Sequence, residues 1–152
     1  MMNTKIVDAC RALSDEQLAT TAVGTYGSIG ATLVHIANAQ IAYGARQRGA
    51  ERPEPLPEEP FPGIDAVAER MSRGDALLEE CATHVSDLQI EVTGDDPPGK
   101  WRMTSGLLLV QAINHATEHR TQISTILTQL GITPPELDGW AFFEDAGHMA
   151  QV

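Results

Sequence analysis

The sequence predicts an all-α fold, a four-helix bundle with a long crossover connection, on three observations. Four segments carry apolar residues at helical spacing; a proline-rich run divides the second from the third; the one strand-like stretch is a short hairpin before the last long helix. Residues 1–152 read as a single domain, because a chain of this length has core enough for one compact unit.

The first helical segment covers about residues 4–13, with Ile6, Val7, Cys10 and Leu13 on one side. Ser14-Asp15-Glu16-Gln17 follows as a capping box that starts a further turn. The second segment begins after Gly24-Thr25-Tyr26-Gly27-Ser28, with Thr25 and Ser28 as capping residues, and runs to about Arg48. Ile29, Leu33, Ile36, Gln40 and Tyr43 recur along it, and Arg46 and Arg48 complement the dipole of its last turn before Gly49.

The connection Glu51-Arg52-Pro53-Glu54-Pro55-Leu56-Pro57-Glu58-Glu59-Pro60 has too many prolines for a helix or a central strand, so an extended crossing of the bundle is expected. The third segment spans about residues 64–88, with Val67, Met71, Leu78, Cys81, Val85 and Leu88 as its buried stripe. Ile90-Glu91-Val92 and Trp101-Arg102-Met103 flank Asp95-Asp96-Pro97-Pro98-Gly99, the pattern of a short hairpin with arms of about three residues. The fourth segment, about residues 104–130, carries the longest apolar signal and stops at Gly131 before Thr133-Pro134-Pro135. The tail beyond, with Trp140, Phe142 and Phe143, is expected to pack against the bundle.

Charge excludes several classes of partner. The net charge is −11, with residues 1–50 at +1, 51–100 at −9 and 101–152 at −3. No basic patch is available to replace the counterions of a nucleic acid or to hold an anionic membrane surface. Cys10 and Cys81 lie in separate apolar patterns without metal-type spacing and read as reduced core residues. No basic stretch followed by an apolar run opens the chain, and none approaches the length of a membrane span; the expected location is the cytoplasm.

His115 and His119 are four apart, so their side chains stack on one helix face about 5–6 Å apart at Cβ. They share the apolar stripe of Leu108, Ala112, Ile123, Ile126 and Leu130, and therefore point inward. Imidazoles in a core need partners. A divalent cation supplies one, although the same spacing serves surface pairs and hydrogen-bonded core histidines. His35, beside Ile36 on the second helix, adds a third imidazole from another element, with a boundary histidine bonded to a carbonyl as the plainer reading. His84 and His148 belong to no such set and read as solvated. Glu118, about 100° round the helix from His119, reads as a surface residue. Gln122 lies one turn past His119 and can face the site, as can Asn38 and Gln40 beyond His35, while Arg120 is read as a helix contact.

The stretches Tyr26-Gly27-Ser28-Ile29-Gly30-Ala31-Thr32-Leu33-Val34-His35-Ile36, Asn114-His115-Ala116-Thr117-Glu118-His119-Arg120-Thr121-Gln122-Ile123 and Leu127-Thr128-Gln129-Leu130-Gly131 resemble the DinB family over nearly the whole chain. The resemblance implies a DinB/YfiT-like four-helix bundle, commonly a homodimer, with a metal held by three histidines: His35, His115 and His119. It further implies a metal-dependent hydrolase, or a transferase that uses a low-molecular-weight thiol, acting on a small molecule. Zinc or nickel suits three neutral nitrogens with an open position. The alternative is a stress-related bundle that binds metal or ligand without turnover. The chain departs from the family pattern at Thr121, where glycine is usual, and in its abbreviated first helix, which favours a partner subunit.

Overall fold

A computed structural model describes residues 2–85, 89–95 and 98–148. In chain order the elements are α1 (Met2–Cys10), α2 (Asp15–Leu18), α3 (Ile29–Gln47), α4 (Ile64–Ala82), β1 (Gln89–Asp95), β2 (Pro98–Thr104), α5 (Ser105–Gln129) and α6 (Gly139–Asp145). The fold is all-α at its core, where α1, α3, α4 and α5 form the bundle. Two short helices and a hairpin are added to the four expected segments.

Side-chain pairings fix the helix directions. Asn3 reaches Asp75 and Arg11 reaches Asp65, so α1 and α4 run antiparallel. Gln40 bonds Asp75 and Gln47 bonds the Cys81 carbonyl, so α3 and α4 run parallel. Tyr43 meets Gln111 and His35 meets His115, so α3 and α5 run antiparallel. Parallel neighbours need a long return, which residues 48–63 supply. Asn38 clamps this connection by donating to the Leu56 carbonyl at 2.8 Å and accepting its N–H at 2.9 Å, and Phe61 packs against Gly30. The prolines thus carry the chain back along α3 from its C-terminal end towards its N-terminal end.

Ile6, Leu33, Met71 and Ile123 bring all four helices into one core. The α3–α4 contact is made close by two glycines: a Cβ at Gly74 would stand 2.8 Å from Cβ of Gln40, and one at Gly44 would overlap Leu77. Hydroxyl caps set the helix starts. Ser14 and Gln17 complete the expected capping box, Ser28 accepts from the Ala31 N–H, and Thr104 accepts from that of Leu107. Cys10 and Cys81 are buried and unpaired.

Four boundaries differ from expectation. Helix α1 starts earlier and closes at Cys10, with Leu13 left in a following turn but still packed on the core. Helix α4 ends at Ala82 because the Thr83 hydroxyl and His84 Nδ1 both compete for the Glu80 carbonyl. Val85, expected in the stripe, is exposed, and Leu88 lies outside the described residues. The hairpin arms have seven residues each, in the register Ile90↔Met103, Glu91↔Arg102 and Val92↔Trp101; Asp96 and Pro97 of its turn also lie outside the described residues. Glu91 adds cross-strand ion pairs with Lys100 and Arg102, and the backbone ladder runs past the triplets to Asp95↔Pro98.

The tail docks through different residues from those expected. Leu137 packs on the core and Ala141 is buried, whereas Trp140 is 68% exposed and Phe142 and Phe143 stand partly in solvent. A seven-residue helix has one narrow inward face, and here Ala141 occupies it. Among the described residues no helix is long and apolar enough to cross a membrane.

Candidate metal centre

The antiparallel contact of α3 with α5 brings His35, His115 and His119 together, their nearest ligand atoms all within 4.8 Å of one another. Nε2 of His35 and Nε2 of His115 are 3.0 Å apart. The three rings meet pairwise with centroids 4.5–4.9 Å apart, His119 buried and the other two half-buried.

The outer nitrogens of two rings are held by neighbours. Gln122 Oε1 accepts the backbone N–H of Tyr26 at 3.0 Å, and that obligatory donor fixes which end of the amide is oxygen. The same oxygen lies 3.0 Å from Nδ1 of His119, so Nδ1 must carry the proton and donate it. The lone pair of His119 is consequently on Nε2. Glu58 Oε1 lies 3.6 Å from Nδ1 of His35, where a carboxylate favours the proton on that nitrogen and again leaves Nε2 as the acceptor. The Tyr26 hydroxyl donates to Glu58, with Oε1 at 2.9 Å and Oε2 at 3.1 Å, and the Tyr26 ring stacks on His35 with centroids 4.0 Å apart.

Burial and neighbouring rings favour the neutral form of His115 and His35. Burial, followed by His119 and His35, pushes His115 down to about 4. His35 is also lowered, by burial and then by His119, with Glu58 pulling the other way. Burial and then the bond to Glu58 raise Tyr26 to about 12, so its hydroxyl stays protonated. Neutral nitrogens converging on one point are the donor set that borderline divalent ions take. A tetrahedral ion with bonds of about 2.0–2.1 Å sets its ligands roughly 3.3 Å apart, close to the His35–His115 separation. The cluster is capable of metal coordination.

A cavity of about 360 Å³ opens on His35 and His115, walled by Asn38, Tyr43, Arg46, Arg52, Leu56 and Glu58. Gln122 faces the cluster, as the helical spacing suggested. Gln40 does not: it is buried and donates to Asp75 on the α4 side. Asn38 borders the cavity, but its amide is spent on Leu56. Arg120 makes helix contacts, donating to Asn3 and Thr117. Glu118, His84 and His148 are exposed.

Sequence reasoning missed Glu58, Arg52 and the roles of Tyr26, Tyr43 and Arg46. Glu58 comes from the most acidic third of the chain, which holds none of the three histidines. The available signal was the crossover itself, since a connection that must return along α3 passes whatever α3 displays.

A family model described as the DinB family matches residues 2–150. The crystal structure of a DinB-like protein from Bacillus cereus ATCC 10987 superposes with a TM-score of 0.66 at 18% identity, covering 90% of this chain and 91% of that one. At that identity the likeness establishes the fold. A comparison with curated proteins finds no match.

Proposed function

The chain belongs to the DinB family, and on that footing we propose that it is a metal-dependent enzyme that acts on a small molecule. Its divalent ion, zinc or nickel, is held on Nε2 of His35, His115 and His119. The observation that carries the reading is the convergence of the three imidazoles on one point beside a walled cavity. When bound, an ion with three neutral ligands supplies Lewis acidity: its undiminished +2 charge lowers the pKa of a nucleophile and polarises an electrophile.

The chain's own groups do the rest. Gln122 and Glu58 hold the outer nitrogens, so the rings need not reorganise. Tyr26 covers His35 and keeps its own proton, which it donates as a hydrogen bond to the Glu58 carboxylate. Two chemistries suit such a site: hydrolysis, and transfer of a low-molecular-weight thiol. The chain is further proposed to work as a homodimer in the cytoplasm, supported by the exposed apolar residues Leu107, Val110 and Ile113 on α5, with Trp140 on α6. Light scattering on the purified chain reads its mass directly.

The test loads the protein with zinc or nickel and screens epoxide, amide and maleylpyruvate-like substrates with and without low-molecular-weight thiols. Turnover that needs the thiol, disappears with chelator and is absent from His115→Ala supports the transferase. Thiol-free turnover supports the hydrolase. Stoichiometric metal without turnover across the panel favours the alternative, binding without catalysis.

A further inference from the structure

The charges on the cavity wall point to the class of substrate, an inference that rests on the metal reading above. The chain has ten Lys and Arg side chains at a net charge of −11. Lys5, Arg11, Arg48, Lys100 and Arg102 each lie within ion-pair reach of a carboxylate. Among the described residues Arg46, Arg52, Arg70, Arg73 and Arg120 have no such partner, and of these Arg46 and Arg52 line the cavity beside His35 and His115.

They reach it from different elements. Arg46 is half-buried in the last turn of α3, and Arg52 is exposed at the start of the crossover. The one acidic residue on this wall, Glu58, is already occupied by the Tyr26 hydroxyl and the Nδ1 edge of His35. The Asn38 amide is closed off by the Leu56 backbone. Tyr43 Oη accepts from Gln111 at 3.4 Å, which leaves its own O–H free to donate. The polar groups still available on the wall are therefore two guanidiniums and a phenol, which all donate and carry net positive charge. A protein that repels anions overall presents here a local attraction for one.

We propose that the cavity takes a small molecule bearing a carboxylate, which Arg46 and Arg52 hold while the reacting end of the molecule lies at the histidines. A volume of about 360 Å³ suits a molecule of that size. The carboxylate's two acceptor oxygens match the guanidinium fork, and the two arginines act as specificity-determining residues rather than as parts of the reacting centre.

Cobalt-loaded protein tests this with two matched probes, 3-mercaptopropionate and 3-mercaptopropionamide, which share a thiol and differ in one charge. Sulfur-to-cobalt charge-transfer absorption reads the affinity of each without any turnover. The acid is expected to bind about tenfold tighter than the amide, and Arg46→Gln and Arg52→Gln are each expected to cut that preference about threefold. Arg46→Lys should restore part of the loss, and Arg52→Gln sits at an exposed position that the fold does not depend on. A ratio near one, or a preference unchanged in the double variant while cobalt stays bound, overturns the substrate class and leaves the metal reading standing. Failure to hold cobalt overturns both.

Discussion

Glu58 and His35 meet across the fold's longest connection, Oε1 of the one lying 3.6 Å from Nδ1 of the other. The carboxylate sets which nitrogen of His35 keeps its proton, and so which one is free to bind. Glu58→Gln removes that charge while keeping the size of the side chain. Zinc affinity is expected to fall about tenfold, read by competition with a chromophoric chelator. Unchanged affinity would mean that the contact does not orient the ring.

Gln122 does for His119 what Glu58 does for His35, and it also anchors the Tyr26 backbone. Gln122→Leu should therefore show two effects: zinc affinity lower by about tenfold, and a melting temperature slightly lower in metal-free protein, because the Tyr26 backbone N–H loses its protein acceptor. Loss of stability without loss of affinity would confine Gln122 to the loop.

Much of this was legible in the sequence. Capping residues marked helix starts at Asp15 and Ile29, and helical spacing put Gln122 beside His119. The crossover was legible as a connection but not as a wall, because prolines and glutamates carry no periodicity that says which residue faces inward. Glu58 and Arg52 were invisible for that reason. The end of α4 was misplaced because Thr83 and His84 stop it by local side-chain bonds, while the apolar spacing continues to Val85.

The pH dependence of the metal-free protein has a definite sign. His115 titrates at about 4 when folded and near 6.5 when unfolded, so between those values the unfolded chain holds more protons. Its contribution to stability is present above about pH 6.5 and is lost as the pH falls towards 4. Wild type should therefore lose roughly 2–4 °C more in melting temperature between pH 7 and pH 5 than His115→Gln, measured with chelator present. Parallel slopes would contradict the assigned burial.

The parallel packing of α3 on α4 depends on missing side chains. Gly74→Ala would press a methyl to within 2.8 Å of Gln40 Cβ, and Gly44→Ala would overlap Leu77. Each is expected to cost about 1–3 kcal/mol in urea unfolding, despite the better helix propensity of alanine. A stabilising effect at either position would show that the helices can separate at no cost.

The central claim is that three imidazoles form one metal site, and metal content tests it most directly. Protein loaded with zinc or nickel and then desalted is measured by elemental analysis, beside His35→Ala, His115→Ala and His119→Ala. The expected result is about one ion per wild-type chain and a small fraction of that in each variant, since a centre of three protein ligands does not hold its ion on two. A wild-type chain that retains no metal, or variants that retain as much as wild type, would contradict it.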